Sequence, residues 1–276
     1  MDTLAIPVSP ATLLASIGSP SAPLVVDVRR RAVFEEDKAM IAGATWRDPF
    51  AVGEWEKLLP RHRAVVVYCA HGHEISGNAS AALRQAGVDA RYLEGGIEAW
   101  RSLGAPTVLR RRNPAVPSEP GKPSVWVTRE RPKIDRIACP WLIRRFIDPF
   151  ARFVFVPAPA VRARAAELGG AAFDVDGADF THRGERCSFD ALMEDFGLSS
   201  PALARLAPIV RGADTGRHDL APECAGLLAV SRGLGRIHQD DLVLLEHGFA
   251  VYDALHAACR AQVEGSEEPL ASGHPT

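Results

Sequence analysis

An apolar, β-branched run, AVVVY at 64–68, leads through a short polar loop into GNASAALRQAGV and then into a second strand-like run, ARYL at 90–93. In the middle segment Ala79, Ala82, Leu83 and Ala86 recur at helical spacing, and Gly87 stands where a helix C-terminus would end. Strand, helix and strand in this order form a crossover unit, whose two strands lie parallel in one sheet with helices covering its faces. LVVDV at 24–28 supplies a further buried strand. Residues 1–110 are therefore expected to form an α/β domain around a parallel sheet.

The loop of that unit carries the clearest chemistry. VVVYCAHGHEIS places Cys69 at the carboxyl end of a buried strand, just before a helix start. Ligands of open α/β sheets bind at that edge. Loop amides and a helix N-terminus facing the sulfur would favour a thiolate and cradle an anion joined to it. Geometry alone leaves two readings open, a nucleophilic thiolate or a small buried hydrophobe. His71 and His73 can serve as a base or a metal pair, or can simply be solvated loop side chains. A phosphatase of C-x5-R type is disfavoured, because the sixth residue after Cys69 is Ile75. With Glu74 in the loop, an ester dianion would be repelled.

A proline-rich break, RRRNPAVPSEPGKPS at 110–124, interrupts all periodicity and is assigned as a linker over 111–123. Beyond it, SVWVTRE (124–130) and ARFVFVP (151–157) are strand-like, with a helix capped by Asp135 running between them to Ile147. Helices are expected near 158–168, 188–196, 201–211, 222–233 and 239–260. The second domain, 124–262, is thus expected to be a mainly helical α+β unit, followed by a disordered tail at 263–276.

With 276 residues, 47% of them hydrophobic, there is material for two cores, and with 32 basic against 34 acidic residues there is no excess charge for binding polyphosphate. Nucleic acid is therefore disfavoured as a partner. The cluster of Arg129, Arg131, Lys133, Arg136, Arg144 and Arg145 is the one feature in favour of a DNA-binding regulator. No apolar run approaches the about 18 residues of a membrane span. With no basic residue before Arg29, the N-terminus lacks a secretory n-region, so a cytoplasmic location is expected. Five separated cysteines argue against a disulfide framework.

The first half resembles a single-domain rhodanese, or sulfurtransferase. The resemblance rests on VVDVR with Asp27 and Arg29, IAGATW at 41–46, the loop CAHGHEIS, and LEGGIEAW at 93–100. It implies that Cys69 accepts a sulfane sulfur and becomes a persulfide. The loop Ala70, His71, Gly72, His73, Glu74, Ile75 and Ser76 would hold it, with Arg29 as a charge from the neighbouring strand. No cofactor is required; the partners are a small-molecule sulfur donor and a thiol or cyanide acceptor. This loop departs from many rhodaneses in lacking a cation other than its histidines, so thiosulfate is expected to be a poor substrate. Arg29 has an alternative role, a structural ion pair with Asp27 or Glu94.

The second half contains no Walker loop, H-E-x-x-H or G-x-S-x-G. FDVDGADFTHRGERCSFD (173–190) fails as a calcium loop because Ala178 and Asp179 replace required residues. Together with VRGADTGRHDLAPE (210–223) it offers His182, Asp214 and His218, with Glu223 as a spare, as a looser N/O metal or oxyanion site suited to iron, manganese or zinc. The alternative is that Asp214 caps a turn, His218 is exposed and His182 pairs with an acid. Cys139 and Cys187 are expected to be buried, and Cys224 and Cys259 carry no chemistry. WVTRERPKIDRIACPWLIRRFIDP, FDVDG with HRGERCSFDAL, IVRGADT with DLAPE, and VYDAL resemble the C-terminal domain of the chromate-resistance protein ChrB over about 125–260. That resemblance implies a role in chromate resistance or sensing, with chromate or a metal as a further ligand. Two readings follow: a sulfurtransferase joined to a chromate-resistance domain, or a non-catalytic sensor or binding protein for chromate, metal or sulfur stress.

Overall fold

The structure, a computed structural model, describes residues 5–110 and 122–265. The linker assigned to 111–123 falls mostly outside the described residues, as does the tail beyond 265.

The first half runs β1 (Pro7–Val8), α1 (Pro10–Ser16), β2 (Leu24–Asp27), α2 (Arg31–Glu36), β3 (Ala39–Ile41), β4 (Ala44–Trp46), α3 (Val52–Trp55), β5 (Val65–Tyr68), α4 (Glu74–Gln85), β6 (Ala90–Leu93), α5 (Gly96–Ser102) and β7 (Thr107–Leu109). Strands β1-β6-β5-β2-β4 form one sheet in that order, every pair parallel. The short β3 and β7 pair antiparallel beside it.

The period-two rule explains the layering. Leu24, Val26 and Val28, with Val65 and Val67, face one side, where Ala79 and Leu83 of α4 and Trp55 cover them. Val25, Val66 and Tyr68 face the other side, in an apolar cluster that includes Leu13, Ile97 and Trp100. Strands buried on both faces are the reason these runs read as continuously apolar.

The second half follows as β8 (Val125–Arg129), α6 (Asp135–Leu142), a π turn (Ile143–Ile147), β9 (Arg152–Val156), α7 (Val161–Glu167), β10 (Ala171–Ala172), α8 (Ser188–Asp195), α9 (Pro201–Thr215), α10 (Cys224–Ile237) and α11 (Asp241–Glu264). It is helix-rich, as expected, around a parallel sheet of order β10-β8-β9. Helix α6 does not continue to Ile147 as an α-helix; its last five residues wind more widely, and the Asp148 amide donates to Ile143 O at 2.8 Å. Helix α11 continues through Val263 and Glu264, two residues into the stretch expected to be tail.

The halves are not packed as separate cores. The cluster containing Leu13, Tyr68 and Trp100 continues without a break into Trp126, Trp141, Phe146 and Tyr252. Hydrogen bonds cross the same boundary: Gly43 N to Phe146 O at 2.6 Å, Leu109 N to Phe196 O at 2.8 Å, and Arg260 Nη1 to Ala15 O at 2.9 Å. Gly18, at φ 82°, permits this approach, since a Cβ there would lie 2.5 Å from Phe146 Cζ.

Candidate functional site

Cys69 follows β5 directly, and its residue is 5% exposed. Two helix N-termini meet around it. The Ile97 and Glu98 amides of α5 take the carbonyls of Cys69 and Ala70, at 3.0 and 3.2 Å. With those carbonyls held away, the amides of His71, His73 and Ser76 are left to face the sulfur. Ser76 Oγ lies 3.2 Å from the sulfur and 3.2 Å from the His73 carbonyl. Its single proton can serve either neighbour, so it can turn to the sulfur when the thiol ionises. Burial pushes the Cys69 thiol up, but the Ser76 hydroxyl and the three amides outweigh it and hold the thiol below its ordinary value.

The glycines of the loop and of LEGG lock this arrangement. Gly72 has φ 69°, and a Cβ there would meet Gly95 N and Leu93 O, both at 2.5 Å. Gly96 has φ 58°, and a Cβ there would sit 2.3 Å from Cys69 O. The two motifs are therefore halves of one backbone cradle. His71, His73 and Glu74 are exposed on its rim, the two imidazole centroids 6.0 Å apart, while Ile75 is half-buried and Ser76 buried.

Arg29 is corrected as a member of the loop. It is 1% exposed, its Nε and Nη2 donate to Asp27, and its Nη1 donates to Asp37 Oδ2 at 2.5 Å. Tyr68 Oη also donates to Asp27 Oδ2, at 2.8 Å. The Asp-x-Arg pair thus ties the ends of β2 and β5 to the β3 segment, the structural role held open for it; Asp27 and Asp37, not Glu94, are its partners.

A second polar centre lies in the other half. His182 Nε2 is 3.1 Å from Asp214 Oδ2, 3.5 Å from Asp135 Oδ2 and 3.6 Å from Asp174 Oδ1. Asp135 opens α6, yet its side chain does not cap that helix. It accepts from the Ser188 amide at the start of α8, which turns the carboxylate inward. Asp174 has φ 51° and accepts from Ser188 Oγ at 2.8 Å; Arg129 and Arg136 lie 3.4 and 3.2 Å from its Oδ2. Asp135 and then Asp174 hold His182 up to about 10. Burial, reinforced by Asp135 and Asp174, raises Asp214 to about 7. Burial likewise raises Asp135.

His182 and Asp214 do come together, and His182 pairs with acids. His218 does not join them: it is exposed on a 3-10 turn, and Asp135 stands in its place. Sequence reasoning missed Asp135 because a helix-opening Asp reads as its own cap, and Asp174 because it fitted only a rejected calcium register. All five cysteines are buried, and burial pushes the Cys139 and Cys187 thiols up. Several arginines of the basic cluster are engaged within the chain: Arg129 and Arg136 with Asp174, Arg144 with Glu246 at 3.0 Å, and Arg145 with Asp253 at 2.8 Å.

Residues 9–103 match the family model of the rhodanese-like domain, and residues 126–259 that of the C-terminal domain of ChrB. Protein ChrB of Cupriavidus metallidurans is 42% identical over 133 residues, covering 48% of this chain and 39% of that protein. The chain thus spans well under half the length of this curated relative. Among solved structures, a rhodanese-related protein from Thermoplasma volcanium is 30% identical, covering 38% of this chain and 99% of its own, with a TM-score of 0.34. A rhodanese-like domain protein from Staphylococcus aureus is 22% identical, covering 34% of this chain and 90% of its own, with a TM-score of 0.31. No helix among the described residues is long and apolar enough to cross a membrane.

Proposed function

From a chain whose first part belongs to the rhodanese-like domains and whose second part belongs to the ChrB C-terminal domains, we propose a sulfur-transfer protein that serves chromate resistance. The Cys69 thiolate attacks the outer sulfur of a sulfane donor; that sulfur–sulfur bond breaks, and its electron pair leaves with the donor remnant. Cys69 then carries a persulfide, whose terminal sulfur takes the amides of His71, His73 and Ser76. A thiol or cyanide attacks that sulfur, and the Cys69 thiolate departs. The observation that carries this reading is the nearly buried sulfur aimed into a preformed set of amides. With Arg29 buried in its own ion pairs, the loop 70–76 itself carries no basic side chain other than His71 and His73, beside the acidic Glu74, which favours a persulfide-type donor over the dianion thiosulfate.

A second reading, a binding or sensing domain that holds sulfur without turnover, is favoured by one observation: Glu74 and two imidazoles are exposed on the loop, and residues 70–76 include no arginine. Intact mass separates the two. Wild type and Cys69→Ser are incubated with sulfane donors, then with cyanide or a thiol. Gain of one sulfur, lost on addition of the acceptor and absent in the variant, is expected. An adduct that acceptors leave in place would select the sensor, and no adduct with any donor would overturn both.

A further inference from the structure

Asp135, His182 and Asp214 each present one ligand atom, all within 4.8 Å of one another. Asp174, the fourth acid nearby, faces Arg129 and Arg136 as well as His182 at 3.6 Å, whereas the salt bridges of Asp135 and Asp214 run to that one imidazole. A metal ion would displace the proton that the acids hold on His182, and the two carboxylates with the resulting neutral imidazole would balance a divalent cation. The separations suit one as well. Metal bonds of about 2.1 Å set neighbouring ligand atoms roughly 3.0–3.4 Å apart; Nε2 of His182 is 3.1 Å from Asp214 and, just beyond that range, 3.5 Å from Asp135, and the two carboxylates lie within 4.8 Å of each other.

A separate observation asks for a ligand. Asp135 is 1% exposed, and its Oδ1 has no nitrogen or oxygen hydrogen-bond partner among the described residues, while Oδ2 accepts the Ser188 amide and faces His182, and the Cys187 thiol is a further neighbour of the carboxylate. A buried carboxylate oxygen left without a donor is costly, and a bound cation would satisfy it. The site is also reachable. His182 is on the wall of a cleft of about 630 Å³, shared with Arg129, Arg162, Asp174, Asp176 and Thr181.

We infer that Asp135, His182 and Asp214 form a mononuclear site for a divalent first-row metal ion, with its remaining coordination positions open to the cleft. One nitrogen and two carboxylate oxygens suit manganese, iron or zinc rather than the thiophilic ions. The buried Cys187 thiol hydrogen-bonds the Asp135 carboxylate and is not counted among the three ligands. This inference is independent of the Cys69 chemistry, and Cys69→Ser is expected to bind metal like the wild type.

The test is titration of the metal-stripped full chain with Mn(II), followed by the loss of the free-ion EPR signal, and competition by Zn(II). One Mn(II) per chain at micromolar concentration is expected, displaced by Zn(II). His182→Gln and Asp214→Asn should each weaken binding at least tenfold, with far-UV circular dichroism unchanged. His182 is 41% exposed, so its replacement leaves no buried void, and it decides the matter if Asp214→Asn does not fold. An undiminished free-ion signal with no uptake of Zn(II), or variants that bind as tightly as wild type, would overturn the site and leave His182 as a counter-ion to the acids.

Discussion

At the scale of single residues, Cys69 and Arg29 show how neighbours decide what a side chain is for. A cysteine with 5% exposure would ordinarily be inert, since burial disfavours the thiolate. Ser76 and the loop amides reverse that outcome. Ser76→Ala should therefore raise the pH at which Cys69 becomes alkylated by about 1–2 units, the worth of one hydrogen bond to an ionised group. Iodoacetamide rates measured against pH would show it, and an unmoved profile would mean the amides alone suffice. Arg29 follows the opposite course: fully enclosed, it is spent on Asp27 and Asp37. Arg29→Ala leaves Asp27 buried without its cation and should cost about 3–5 kcal/mol in urea unfolding. Arg29→Lys cannot reproduce the fork and should recover only part of that.

At the scale of elements, the site is made by two helix starts closing on one strand end. Helix α5 takes the carbonyls of the cysteine loop, and the loop and the first turn of α4 present the amides of His71, His73 and Ser76 to the sulfur. Their contact is so close that it has no room for a methyl group. In Gly96→Ala the new Cβ would lie 2.3 Å from Cys69 O and 2.5 Å from Ala70 O, on a backbone at φ 58°. The loop must move, and the amides with it. Cys69 alkylation in this variant should shift toward the pH of an ordinary thiol, about 8.5, with stability lower by about 1–3 kcal/mol. A wild-type alkylation profile would show that α5 is not needed to shape the cradle.

At the scale of the molecule, the two halves are welded by aromatic packing, and one titratable group sits in the weld. His256 of α11 is 4% exposed, its ring centroid 5.5 Å from those of both Trp141 and Phe146, and close to Gly18 of the first half. Burial first, and then Arg260, lowers it to about 4 from the ordinary 6.5; Asp253 opposes the shift weakly. The folded protein thus refuses a proton that the unfolded chain accepts. Stability is unaffected above pH 6.5 and falls as pH drops from 6.5 toward 4, by up to about 3 kcal/mol if this group acts alone. Urea midpoints at pH 7 and pH 4.5, compared with those of His256→Leu, would isolate the effect. Equal pH dependence in wild type and variant would assign the loss to carboxylates instead.

Much of this was legible in one dimension. Continuous apolar runs in β2 and β5 announce a sheet buried on both faces, because no strand can expose such a face to water. The position of Cys69 between such a run and a helix follows from local periodicity alone. The helix-rich second half was visible for the same reason. What the linear chain could not display was convergence. Whether Arg29 points to the sulfur or to Asp37, and whether Asp135 caps its own helix or faces His182, depends on segments distant in sequence. Charges and hydrogen bonds act over a few ångströms of space, whatever the separation along the chain, so only the folded molecule chooses their partners. Local periodicity determined the elements; tertiary packing decided which polar groups meet, and with them the apolar cluster that joins the two halves.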